Sequence, residues 1–358
     1  MTADSNKILT VGALQLVVMF VALATIGFPV YSPAEASIPP DVNTRTCQSI
    51  TESAERLLCY DRLYGNIKNQ SNPGRDDEPE KPVEVTQGAP GDSFLEERLK
   101  KEEILNYNQF AITPHRPNYI LPLTYNNNPN TTLYENLVPD DKLAGNLDKH
   151  ELKFQLSFKI PLVREFLFKE SSLWFAYSQV AFWQMYNLKV SAPFRETNYE
   201  PELIWVNKTG IDVFGFRNSL VTLALNHQSN GQAKPLSRSW NRIVADFILE
   251  KDNTILSFRP WYRIPENSED DGNPDIHKYL GHAEFSALYK YKEHLSTIML
   301  RNNMRSDNRT TAELTYTFRF SDRFKGIAQY FNGYGESLID YNHRVRRIGV
   351  GILITDWL

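Results

Sequence analysis

His227 and Ser229 lie two residues apart in Asn226-His227-Gln228-Ser229-Asn230-Gly231-Gln232, and Ser237-Arg238-Ser239-Trp240-Asn241-Arg242 follows a short loop later. A serine hydroxyl becomes a nucleophile when a base within hydrogen-bond reach takes its proton, and the base works best when a third group fixes its tautomer. Residues two apart on an extended strand share a face. His227 and Ser229 therefore point the same way, and Asn241, at the start of the next apolar segment, is placed to accept from the histidine's other nitrogen. An amide orients imidazole, though it stabilises imidazolium less than a carboxylate does. Gly231, just past the serine, lets backbone amides approach an oxyanion with no Cβ in the way. Together these residues form a candidate Ser-His-Asn triad on one hairpin. As a bare pattern, H-x-S equally describes a pair of surface polar residues.

The flanking residues make the candidate unusual. Val221, Leu223 and Leu225 share the parity of His227 and Ser229, whereas Thr222, Ala224, Asn226 and Gln228 have the opposite one. In the next segment Asn241 falls in line with Ile243, Ala245, Phe247 and Leu249, against Arg242, Asp246 and Glu250. All three candidates thus end one apolar surface, and the function turns on whether that surface faces a core or a bilayer.

The 358 residues hold 12% aromatics with 18 Tyr, a mean hydropathy of -0.44 and a net charge of -4. That hydropathy excludes a bundle of membrane helices, and no basic tract is long enough for nucleic acid. Ile8 to Tyr31 is the one long apolar run, and Ala34-Glu35-Ala36 after it suits signal peptidase, so residues 1–36 read as a cleaved signal peptide. An uncleaved anchor helix is the alternative. Residues 37–68 carry both cysteines, Cys47 and Cys59, around helically spaced Ile50, Ala54, Leu57 and Leu58. A small periplasmic helical segment closed by a disulfide fits an oxidising compartment; two unpaired buried thiols are the plainer reading. Residues 69–96, rich in Pro, Gly, Asp and Glu, read as a linker, and 97–117 as a lead-in to the remaining domain, 118–358.

That domain consists of segments of alternating polarity, each long enough to cross a membrane as a tilted strand. Twelve are found, near Asn118–Tyr125, Glu151–Pro161, Ser172–Tyr186, Tyr199–Val206, Val213–His227, Trp240–Leu249, Thr254–Ile264, Ile276–Tyr291, Leu295–Asn302, Thr311–Phe320, Phe324–Tyr334 and Arg347–Leu358. Short links such as 250–253 and 292–294 interleave with longer polar ones such as 126–150, 229–239 and 335–346. The pattern predicts an all-β fold, a twelve-stranded antiparallel transmembrane β-barrel with periplasmic turns and external loops. Odd strands then run outward, which carries His227 and Ser229 to the outer side. Trp183, Tyr186, Trp205, Trp240, Trp261, Tyr262, Tyr289, Tyr291 and Trp357 suit interfacial girdles. A soluble β-sandwich also shows alternating strands, but twelve even segments behind an export signal favour the barrel.

On a barrel the apolar parity is the lipid face, where imidazole and hydroxyl groups are costly. Substrates arriving there by lateral diffusion are phospholipids, and the bond open to a serine is their acyl ester. At this point the residues resemble outer membrane phospholipase A of Gram-negative bacteria. The resemblance runs from about Asn118 to the C-terminus, through the two motifs above, Ser191-Ala192-Pro193-Phe194-Arg195-Glu196-Thr197-Asn198-Tyr199-Glu200-Pro201 and Gly333-Tyr334-Gly335-Glu336-Ser337-Leu338-Ile339-Asp340-Tyr341-Asn342.

The resemblance implies a barrel inactive as a monomer and active as a calcium-bound homodimer in the outer membrane. It implies Ser229 as nucleophile, His227 as base and Asn241 as orienter, with the Gly231 amide and a calcium-bound water on the oxyanion. Calcium would be held by the Ser237 hydroxyl, the Gln232 carbonyl and the carbonyl of Ser191 from the other subunit, hard oxygen ligands of the kind calcium prefers. The residues alone mark no such site; the nearby carboxylates Glu196, Glu200 and Glu202 would be the misleading choice. Gln179 shares parity with Phe175, Tyr177, Ala181 and Trp183, so it is a polar residue on the lipid side, and the resemblance implies a hydrogen bond across the dimer. Lys234 departs from the family, which carries an acidic residue there, and puts in doubt any secondary calcium site in the monomer. The remaining histidines, including His115, His150, His277, His282, His294 and His343, read as loop or lumen residues. A passive porin or an adhesive barrel would share the architecture but has no use for a His-Ser-Asn set facing lipid.

Overall fold

The computed structural model describes residues 94–105, 112–321 and 324–356. The expected signal peptide, the Cys47 and Cys59 segment, most of the linker and Trp357 lie outside them.

Among the described residues the alternating segments form one closed antiparallel barrel of twelve strands. They are β1 (Asn118–Asn126), β2 (His150–Arg164), β3 (Ser171–Trp183), β4 (Phe194–Val213), β5 (Phe216–Ser229), β6 (Ser239–Lys251), β7 (Thr254–Ile264), β8 (Ala283–Tyr291), β9 (His294–Asn302), β10 (Thr310–Arg319), β11 (Lys325–Gly333) and β12 (Val345–Thr355). Each strand pairs with its neighbours in sequence, and β1 with β12 closes the ring, so no strand edge is left unpaired for lipid to meet. At that seam a Cβ on Gly351 would overlap the Ile120 carbonyl, which explains a residue without a side chain there.

Among the described residues three α-helices accompany the strands, α1 (Phe94–Leu105), α2 (Thr131–Leu137) and α3 (His277–Leu280). The sequence placed 94–96 in a linker and 276–280 in the eighth strand, and both boundaries are corrected. Helix α1 already begins at Phe94 and seats Leu95 among Leu220, Ile248, Ile255, Leu288 and Leu295. Ile276 and Leu280 are fully buried at helical i, i+4 spacing, which puts both in the core beside Trp240 and Trp261. Gly281, with φ +71°, ends the turn and lets β8 start at Ala283.

Alternation along the strands sorts the two faces. Leu223 and Leu225 are exposed outward, whereas Ala224 and Asn226, which alternate with them, are buried inward. The interior is polar and crosslinked. Arg347 lies against Glu151 at 2.7 Å and Glu336 at 2.9 Å, Arg195 joins Glu151 to Asp340, and Lys153 reaches Glu336. A second lattice joins Glu200 to Arg116 and Arg242, and Glu202 to His115, Arg116 and Arg259. Charges this buried persist only when paired and hydrogen-bonded. These lattices also correct two of the expected girdle residues. Trp240 and Trp261 are only 1% and 8% exposed, and both rings face the Arg242 guanidinium from inside. Trp240 has the parity opposite to Asn241, so its inward direction follows from the alternation itself.

Replacing Arg347 by Met leaves Glu151 and Glu336 short of a buried counter-cation. The variant is expected to lose about 3–5 kcal/mol of stability, seen as a lower urea midpoint of the detergent-solubilised barrel.

Candidate functional site

The β5–β6 register sets His227 opposite Asn241 and Ser229 opposite Ser239, and on the other side Tyr199 of β4 pairs with Ser229. Directly opposed residues in an antiparallel pair have their Cβ atoms about 5 Å apart, close enough for side chains to bond across the strands. His227 Nδ1 lies 2.8 Å from Asn241 Oδ1. An amide oxygen only accepts, so Nδ1 carries the hydrogen and Nε2 keeps its lone pair. Ser229 occupies the same outer face two residues further on. Among the described residues its hydroxyl forms no hydrogen bond with His227; substrate-free enzymes often hold this contact long and tighten it around substrate. All three residues are half-buried at the end of the apolar surface made by Leu223, Leu225, Ile243 and Phe247, as their parity requires.

The turn after Ser229 is fastened from inside. Asn230 is buried; its Nδ2 donates to the Leu236 carbonyl at 2.9 Å, and its Oδ1 accepts from the backbone N–H of Arg238 at 2.9 Å and of Gln232 at 3.3 Å. This clamp holds the two ends of the loop together around Gly231, whose φ is +64° and whose place a Cβ would share with the Tyr199 ring at 3.1 Å. Glycine is the residue that takes this conformation without strain. The neighbouring β7–β8 loop packs on the same turn. Gly272 lies so close that a Cβ would overlap the Ser237 carbonyl, and buried Asn273 accepts from the Ser239 N–H at 3.0 Å. From that loop Glu266 accepts from Asn241 Nδ2 at 2.9 Å. Burial, reinforced by the Asp271 charge, raises the Glu266 carboxyl above its ordinary range, against the pull of Arg263, of the Asn241 hydrogen bond and of His227.

The other expected residues fall in two places. Gln232 and Ser237 border the same loop; among the described residues neither the Ser237 hydroxyl nor the Gln232 carbonyl has a hydrogen-bond partner. Ser191 stands apart and exposed in the β3–β4 loop, in the left-handed conformation with φ +63° after a short 3-10 turn, Leu188–Val190. Gln179 lies in a transverse row across the barrel, Leu156, Gln179, Tyr199, Ser229, each opposite the next. It is therefore in register with the serine, two strands away on the outer face, and accepts from the Tyr177 hydroxyl at 3.2 Å. Glu200 and Glu202 point inward to their arginines, and Glu196 accepts from Asn198 and the Ile339 N–H, so none is offered to the outer face. Lys234 extends to the Glu269 carbonyl at 2.6 Å and the Asp270 carboxylate at 3.5 Å, so an ammonium occupies the acidic rim of that loop. Sequence reasoning missed Asn230, Gly272, Asn273 and Glu266. The inward parity of Asn230 beside an outward serine was a signal; the three loop residues carried none.

The profile of the family described as Phospholipase A1 matches residues 95–354. The chain belongs to the phospholipase A1 family. It is 37% identical to the phospholipase A1 of Klebsiella pneumoniae over 249 residues, spanning 70% of this chain and 84% of that protein. The phospholipase A1 of Escherichia coli K12 is 35% identical over 252 residues, spanning 70% and 83%. Among solved structures, the E. coli outer membrane phospholipase A superposes with a TM-score of 0.65 at 34% identity, covering 70% of this chain and 94% of that one. The calcium-bound dimer of the Salmonella typhi outer membrane phospholipase gives the same TM-score and coverage at 35% identity. The twelve-stranded barrel is thus that of a Gram-negative outer membrane enzyme.

If the Asn230 clamp holds the loop, Asn230→Ala should speed limited proteolysis between Gly231 and Ser237 at least severalfold while the rest of the barrel stays resistant.

Proposed function

We propose that this enzyme hydrolyses acyl esters of phospholipids and lysophospholipids in the outer leaflet, with Ser229 as nucleophile, His227 as general base and Asn241 as its orienter. The observation that carries the reading is the 2.8 Å His227–Asn241 hydrogen bond on the lipid-facing side of the barrel, with Ser229 next along the same face. One of the matched E. coli structures is an active-site mutant with asparagine replaced by alanine, which supports an asparagine in that role.

As Ser229 Oγ bonds to the ester carbonyl carbon, its proton passes to His227 Nε2, the nitrogen left free by the Asn241 bond. The Gly231 N–H donates to the carbonyl oxygen as it becomes an oxyanion. The imidazolium then protonates the departing glycerol oxygen as the C–O bond breaks, leaving an acyl-serine. Water repeats the sequence: its proton goes to Nε2, its oxygen bonds to the acyl carbon, and Ser229 regains a proton as the fatty acid leaves.

The oxygens left without partners at Ser237 and Gln232 are hard donors suited to calcium, and the exposed carbonyl of Ser191 is free to complete the set from a second subunit. Among the described residues no group of three or more His, Cys, Asp or Glu converges on a metal position, so a cation here would rest on carbonyl, hydroxyl and water oxygens. When bound, calcium supplies positive charge near the developing oxyanion. A site split between subunits makes activity depend on dimerisation, and in this reading Gln179, in register with Ser229 on the outer face, bonds to its copy across the interface.

Ser229→Ala and His227→Ala are each expected to lower fatty-acid release from mixed phospholipid micelles by on the order of 10⁴-fold, with the barrel still folded by heat-modifiable migration. Wild-type hydrolysis by Ser229→Ala would overturn the assignment.

Chelation should abolish hydrolysis and excess calcium restore it. Gln179→Leu should weaken the calcium-induced dimer about three- to tenfold by analytical ultracentrifugation in detergent.

A further inference from the structure

Resting on the triad reading above, we propose that Glu266 is a positioning residue of the reaction: its carboxylate selects the working orientation of the Asn241 amide and thereby the tautomer of His227. An asparagine side chain is nearly symmetric in shape, and flipping it exchanges an acceptor for a donor. Flipped, Asn241 would offer N–H to His227 Nδ1, forcing the hydrogen onto Nε2 and removing the lone pair that Ser229 needs. The 2.8 Å contact with His227 does not by itself prevent this, because a neutral imidazole satisfies either partner.

Glu266 breaks that symmetry. An ionised carboxylate only accepts, so the group facing it at 2.9 Å must be the Asn241 NH₂, and Oδ1 is then turned to His227. The chain of bonds runs from carboxylate through amide to imidazole, and polarises in one sense along its length. It also returns part of what an amide lacks as a triad member, since a negative charge one residue further out favours the imidazolium. Burial and the Asp271 charge oppose the carboxylate, while Arg263, paired with Asp271 at 2.7 Å, the Asn241 hydrogen bond and His227 favour it; Lys234 of the β5–β6 loop is engaged elsewhere, with Asp270 and the Glu269 carbonyl. Glu266 is half-buried, so its raised carboxyl loses the charge on acidification sooner than a fully solvated glutamate would. Groups facing the relay are therefore Asp271 and Arg263 from its own hairpin and His227 from β5.

The sign of the pH effect follows. The base works only when neutral, so a carboxylate that favours the imidazolium holds the acid limb of the rate profile at higher pH, and removing it lets that limb move down. Glu266→Gln removes the charge and, because an amide both donates and accepts, the orientation rule as well.

The test is kcat, KM and the pH profile of fatty-acid release for Glu266→Gln and Glu266→Ala, each made also in an Asn241→Ala background, with Ser229→Ala as the control for the triad itself. Both single variants should lose about tenfold or more in kcat with KM nearly unchanged, and the acid limb of kcat for Glu266→Gln should move down by about half to one pH unit. In the Asn241→Ala background neither change should have a further effect. Unchanged kcat and pH profile in both variants would overturn the proposal, as would an equal loss with Asn241 present or absent, which marks a purely structural role. Activity surviving in Ser229→Ala would instead overturn the triad, so the two failures are distinct. Glu266→Gln, nearly isosteric, keeps the test decisive if Glu266→Ala does not fold.

Discussion

The antiparallel register of β5 and β6 is the constraint on which the site depends. It places His227 directly opposite Asn241, and Ser229 opposite Ser239, so one pairing decides both the hydrogen bond and the face. Side-chain direction has a period of two along a strand, and a slip of one residue would turn the whole set into the lumen, among the arginines. The register is pinned from both sides. Leu223, Leu225, Ile243 and Phe247 must face outward, while Asn226 and Arg242, bonded to each other at 2.7 Å, must face inward to meet Glu200.

That arrangement inverts the usual location of an active site. The lumen holds most of the buried charges, and many of its carboxylates and guanidinium groups are tied to one another in two ion-pair lattices. Its task is to hold the ring of strands rigid. The outer face carries few polar groups, each with an identifiable partner or opening: Asn241 satisfies His227 on one side and Glu266 on the other, and Gln179 meets Tyr177. A substrate that already lies in the bilayer needs no pocket, only a nucleophile at the depth of its ester.

Much of this was legible in the sequence, because period-two alternation is a local signal. It gave the twelve strands and the outward parity of His227, Ser229, Asn241 and Gln179. The same signal showed Trp240 to be inward, and treating every aromatic near a strand end as a girdle residue overrode it; in the structure Trp240 stacks under Arg242. The helical turn of Ile276 and Leu280 was hidden for a different reason, since five residues with buried ends fit a strand segment as well as a turn. Loop contacts were not legible at all. Gly272 against the Ser237 carbonyl, Asn273 on the Ser239 N–H and Glu266 on Asn241 depend on how two loops from different hairpins meet, which no spacing within either loop records.

Ser229 is the proposed nucleophile, one serine on the lipid face. Treating the folded barrel, in calcium-containing detergent, with a long-chain alkyl fluorophosphonate and mapping the adduct by peptide mass spectrometry tests it directly. A single covalent adduct on Ser229, lost in His227→Ala, is expected; an adduct on another residue, or labelling that ignores His227, would contradict the assignment.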